Sequence, residues 1–169
     1  DYPWTNDYSE ARNYSLSKAT GDWVLVLDAD EVISPSDQPN LLKLTGQKPR
    51  KPVAYILTTR NYTNQAGSRG WVANEGQYSG EEAGQGWVPS PKVRLFVNHQ
   101  QIRFVNPVHE LVEPTLEKLG IKVKACDVPV HHYGRLDQNK LLEKGKEYFR
   151  LGIAKIEQTN GDCKALKEL

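Results

Sequence analysis

The most constraining feature of this chain is an unbroken apolar run, Trp23-Val24-Leu25-Val26-Leu27, that stops abruptly at Asp28-Ala29-Asp30-Glu31. A run with no polar alternation is what a strand covered on both faces looks like, as in a mostly parallel sheet. Open α/β sheets place their ligand sites at the carboxyl ends of such strands. Residues two apart on a strand share a face, so the carboxylates of Asp28 and Asp30 are expected to point the same way. Two such groups repel unless a cation lies between them, and a hard divalent ion beside a substrate diphosphate satisfies both. The bland alternative is an acidic turn that ends the strand and caps the next helix.

The surrounding sequence reads as an α/β domain. Asp7 to Ala19 is predicted to be a helix, with Asp7 as its N-cap, Glu10 at the capping-box position and Gly21 as the stop. A turn at Ser34–Asp37 precedes a short helix containing Leu41, Leu42 and Leu44. Lys48 to Pro52 is a basic, proline-broken connection. Val53–Thr59 is predicted as a strand. Residues 63–91 are rich in Gly, Ser, Asn and Gln and read as a long loop, either mobile or an acceptor lid using Trp71, Tyr78 and Trp87. Val93–Val97 and Ile102–Val105 read as strands around a turn. Val123–Val130 is a further strand, ending at His131-His132-Tyr133-Gly134. From Asp137 onward apolar residues recur at helical spacing, and Asn160-Gly161-Asp162 separates that helix from another. The expected division is therefore 1–136 and a helical segment, 137–169, that suits the start of a helical repeat array.

Composition narrows the function class. Lys+Arg is 22 against 21 for Asp+Glu, a net charge of +1, which argues against non-specific nucleic-acid binding. The longest apolar run is about a quarter of what a membrane-spanning helix needs. The two cysteines make neither a disulfide framework nor a zinc site, so a reducing, cytoplasmic setting is expected. With 0 methionines, the chain reads as an excerpt of a longer protein.

An ordered set of short motifs then resembles glycosyltransferase family 2. These are Ala11-Arg12-Asn13, Ala19-Thr20-Gly21-Asp22-Trp23, Leu27-Asp28-Ala29-Asp30-Glu31, Arg94-Leu95-Phe96 with Val108-His109-Glu110, and His131-His132-Tyr133-Gly134. The later ones resemble a bacterial subgroup often followed by TPR-like helical repeats. The resemblance spans roughly residues 4 to 150 and implies a partial GT-A fold, a mixed Rossmann-like sheet with flanking helices. Elements that would supply most of the nucleotide pocket are not found before Trp4, so the metal motif and acceptor half are expected.

The resemblance also implies an activity and its residues. A sugar would pass from a nucleotide-sugar donor to a carbohydrate, lipid-linked or protein acceptor hydroxyl, with inversion. Asp28 and Asp30 would hold Mg²⁺ or Mn²⁺ against the donor diphosphate, with His132 completing the site and His131 as second choice. Glu110 would be the base. Arg12, Asn13 and Arg94 would contact the donor, Arg94 bidentately on a phosphate. Glu31 is read as either a salt-bridge partner or part of the site. The competing reading is a non-catalytic scaffold or dimerisation module ahead of helical repeats. A metal-dependent phosphohydrolase is disfavoured, because the further Lys and Asp motifs it needs are not found. A sheet lacking its neighbouring strands is expected to self-associate.

Overall fold

A computed structural model describes residues 2–46, 49, 51–136, 145, 146, 149, 150 and 153. The chain order is α1 (Tyr8–Lys18), β1 (Trp23–Leu25), β2 (Glu31–Val32), α2 (Gln38–Thr45), β3 (Val53–Thr63), β4 (Val72–Ala73), β5 (Gly86–Val97), α3 (Glu113–Lys118) and β6 (Lys122–His132). The strands form one mixed sheet in the order β1-β5-β3-β6-β2, with β4 also on β5. Only β3 and β6 run parallel; the other pairings are antiparallel. This is the mixed α/β architecture expected of a partial GT-A-like fold. Most of 137–169, including Cys163 and the second helix, lies outside the described residues.

Helix α1 begins as its sequence dictates, with the Asp7 side chain accepting from the Glu10 backbone N–H at 3.0 Å. The strand after it differs from expectation. β1 pairs antiparallel with β5, Trp23 opposite Val97, and has no partner on its other edge among the described residues. Both faces of β1 are partly covered, whereas Leu27 at the end of the apolar run is exposed. Val24 packs toward a cluster with Phe96, Phe104 and Leu16, and Trp23 and Leu25 pack toward a second with Leu95, Leu41 and Leu44. The run is thus half-buried at a sheet edge, not enclosed within a parallel sheet.

The glycine-rich stretch is shorter than expected. β3 runs on to Thr63 and β5 starts at Gly86, so the connection is residues 64–85 with β4 inside it. Prolines at 89 and 91 obscured β5 in the sequence. They are two apart on a strand, and both fall where β5 pairs with β3 alone, between its contacts with β4 and β1. There an outward-facing backbone position needs no donor. The connection is pinned, because the Arg60 guanidinium lies 4.5 Å from the Tyr78 ring and 4.6 Å from that of Trp87.

Ile102–Val105 is not a strand. It makes one bridge, Val105 to Leu111, and Ile102 and Phe104 are buried. Asn13 takes the place of a neighbouring strand, donating to the Phe104 carbonyl at 2.9 Å and accepting from the Phe104 N–H at 2.8 Å. Helix α3 was not anticipated from the sequence.

Candidate functional site

A turn closes directly after the apolar run, with the Glu31 N–H bonded to the Asp28 carbonyl at 3.0 Å. It takes Asp28 and Asp30 off a common strand face and sends their carboxylates to different partners.

Asp28 faces helix α1. Its Oδ1 accepts from Arg12 Nη2 at 2.8 Å, and Arg12 Nε donates to Glu110 Oε1 at 2.5 Å. One guanidinium therefore joins carboxylates brought from two distant stretches of chain. Burial works against the Arg12 charge, but the hydrogen bond to Glu110 and the charge of Asp28 outweigh it and raise its pKa. Burial likewise pushes the Asp28 carboxyl up, yet the Arg12 charge prevails and holds it below the usual range. Glu110 sits on a turn whose backbone places both Asn106 and His109 in the left-handed region, at φ 77° and 55°. These groups face a cleft of about 360 Å³, lined by Arg12, Asp28, Lys92, Arg94, His109 and Glu110 among others.

Asp30 faces the other way. β2 pairs Glu31 with His132, and the Tyr133 N–H donates to the Asp30 carbonyl at 3.2 Å. This brings Asp30 Oδ2 to 3.2 Å from His132 Nε2. The other ring nitrogen, Nδ1, is 2.8 Å from Asn61 Oδ1. The Asn61 amide nitrogen donates to the Val88 carbonyl at 2.9 Å, so its oxygen must be the atom facing His132. His132 Nδ1 is therefore the donor, and in the neutral ring Nε2 turns a lone pair toward the Asp30 carboxylate. A proton or a cation relieves that opposition. Gly134 packs directly against this pair: a Cβ built there would lie 2.6 Å from both Asp30 Oδ2 and His132 Nε2, so a larger residue would displace one of them.

The neighbouring His131 is fully buried. Its Nδ1 is 2.7 Å from the Tyr62 hydroxyl, and its Nε2 has no hydrogen-bond partner. Burial holds its pKa below the ordinary value and pushes those of Tyr62 and Tyr78 up to about 12.

The predicted site residues thus fall into distinct places. Asp30 and His132 converge; Asp28 joins Arg12 and Glu110 instead. Among the described residues no group of three or more His, Cys, Asp or Glu side chains is assembled to hold a metal. Asn13 holds Phe104. Arg94 makes a bidentate pair with Glu31, Nη1 to Oε2 at 2.5 Å and Nη2 to Oε1 at 2.6 Å. Asn61 and Gly134 were not singled out from the sequence for the contacts they make here. Asn61 carried no signal, lying inside a strand. Gly134 did, as the glycine that closes the histidine pair.

The chain is similar to a TPR repeat-containing protein of Synechococcus elongatus, 33% identical over 162 residues. That match covers 89% of this chain and 34% of the relative, so the chain spans about a third of the relative's length. No helix among the described residues is long and apolar enough to cross a membrane. The sequence pattern of Glycosyl transferase family 2 matches residues 3–103, taking in α1, the Asp-x-Asp turn and β5, and with that match over more than half its length the chain belongs to glycosyl transferase family 2.

Proposed function

We propose that this chain carries the metal motif and acceptor side of an inverting glycosyltransferase that uses a nucleotide-sugar donor. Family membership supports glycosyl transfer. The observation that carries the metal-dependent form is the Asp30–His132 pair, whose carboxylate oxygen and imidazole nitrogen lie 3.2 Å apart, a spacing that suits two ligands of one divalent cation. Imidazole is an acceptable though weak ligand for Mn²⁺ and a poor one for Mg²⁺, so of the two Mn²⁺ fits this donor set better. Bound there, the ion would supply charge neutralisation to the departing diphosphate.

The remaining roles belong to the chain's own groups. The acceptor hydroxyl enters the cleft beside Glu110, whose carboxylate takes its proton. Arg12 Nε donates to that carboxylate. An arriving diphosphate competes for Arg12, since guanidinium recognises phosphate bidentately, and releases Glu110 as base. The same reading includes self-association of the chain, as the simplest cover for the outer edge of β1. Light scattering should report at least twice the monomer mass, and a monomer at every accessible concentration counts against it.

Titration of Mn²⁺ into wild type and Asp30→Ala, followed by water-proton relaxation, tests the metal reading. Weak binding that the substitution abolishes is expected. Superimposable curves would remove Asp30 from the site.

A further inference from the structure

Arg94 and Glu31 are only 4% and 8% exposed, the most deeply buried ion pair among the described residues. Its partners are not incidental. Glu31 Oε2, already held by Arg94, also accepts the Asp28 backbone N–H at 2.8 Å. Arg94 Nη1 also donates to the Val26 carbonyl at 3.2 Å, while the backbone of Arg94 accepts from the Val26 N–H at 2.8 Å. The pair therefore grips the chain on both sides of the Leu27 step, at Val26 and at Asp28. Glu31 itself begins β2, whose first ladder partner is His132.

A buried pair of this kind is a poor device for stability alone. Desolvating both charges offsets much of their attraction, and an apolar pair of similar volume often serves the fold as well. Arg94 Nε is buried without a hydrogen-bond partner, a further cost that packing alone does not require. What an apolar pair cannot do is accept the Asp28 N–H.

We infer that the Glu31–Arg94 pair is the positioning device of the Asp-x-Asp turn. It anchors the backbone at Asp28 to the rigid β5 strand, and through the start of β2 it sets Asp30 against His132. Neither residue touches the donor in this role; both act through the two aspartates. The inference rests on the metal reading above for its consequence, though not for its geometry.

Two measurements on the full chain test it. The first needs no metal. In the wild type the Asp28 amide should exchange with solvent as slowly as the amides of β5, and exchange at the rate of an open turn would overturn the inference. The second is Mn²⁺ affinity, by water-proton relaxation, in the Glu31→Leu/Arg94→Met double variant. The variant should keep a cooperative melt near that of wild type and lose about 10- to 100-fold in Mn²⁺ affinity, as when a ligand loses its outer support. A folded double variant with unchanged affinity overturns the inference, and one without a cooperative melt makes the pair a folding element and also overturns it. If wild type and Asp30→Ala bind Mn²⁺ identically, the metal reading fails by itself, and a protected Asp28 amide still supports the clamp.

Discussion

Asp28 and Asp30 are separated by one alanine, yet they serve two different electrostatic environments. On the Asp28 side charge is compensated within the protein, by a guanidinium shared with Glu110 across an open cleft. On the Asp30 side the carboxylate meets His132 Nε2 at 3.2 Å, the other ring nitrogen is held by Asn61, and Gly134 packs against both. The difference teaches that adjacency in an acidic motif does not imply a shared ligand. The turn at 28–31 divides the motif into a side joined to Arg12 and Glu110 and a side joined to His132.

The largest effect should come from the Asp28 side. On the proposed reading of Glu110 as base, Glu110→Gln should lower turnover by about two to four orders of magnitude, the cost of a lost general base. Mn²⁺ affinity should not change, because Glu110 touches only the Arg12 side of the division. A paired loss of turnover and metal binding, measured by steady-state kinetics and relaxation titration, would break the comparison by merging the two sides.

A smaller effect should come from the opposite side. Gly134→Ala places a methyl carbon 2.6 Å from both Asp30 Oδ2 and His132 Nε2, so one of them must move. Mn²⁺ affinity should fall by about tenfold or more, while the Arg12–Glu110 contact is left alone. Unchanged affinity would show that cation binding does not depend on the Asp30–His132 contact.

The smallest effect sharpens the description of the ground beneath His132. Burial pushes Tyr62 and Tyr78 up to about 12, from an ordinary 10.0. Because the folded pKa is raised, the stability these neutral hydroxyls contribute is complete below pH 10.0 and lost as pH rises through about 12. Tyrosinate absorbance should show at least three of the 8 tyrosines, Tyr62, Tyr78 and Tyr133, ionising late, and Tyr62→Phe should remove one late step. Early ionisation of all of them would mean that the Tyr62–His131 contact is open to water.

Local rules made part of this molecule legible in advance. The capping residue of α1, the short leucine helix, the strand that ends at the histidine pair and the acidic turn after an apolar run come from preferences that act within a few residues. Extended stretches were harder. Ile102–Val105 carries strand-like residues, but Asn13 supplies the only strand-like hydrogen bonds that Phe104 needs. β5 was partly hidden by prolines that only its neighbours make acceptable.

The sequence by itself determined that an apolar strand is followed by two acids, and that a histidine pair and a glutamate lie far downstream. Periodicity carries that much, because it records which side chains avoid water. Tertiary structure alone decided the partners: Arg12 for Asp28, His132 for Asp30 and Arg94 for Glu31. Arg94 reads equally well as a phosphate ligand or a salt-bridge residue until β5 is laid beside β1. A charged group's partner is set by through-space distance in a low-dielectric interior, and that distance comes from strand order and register, which no local pattern encodes.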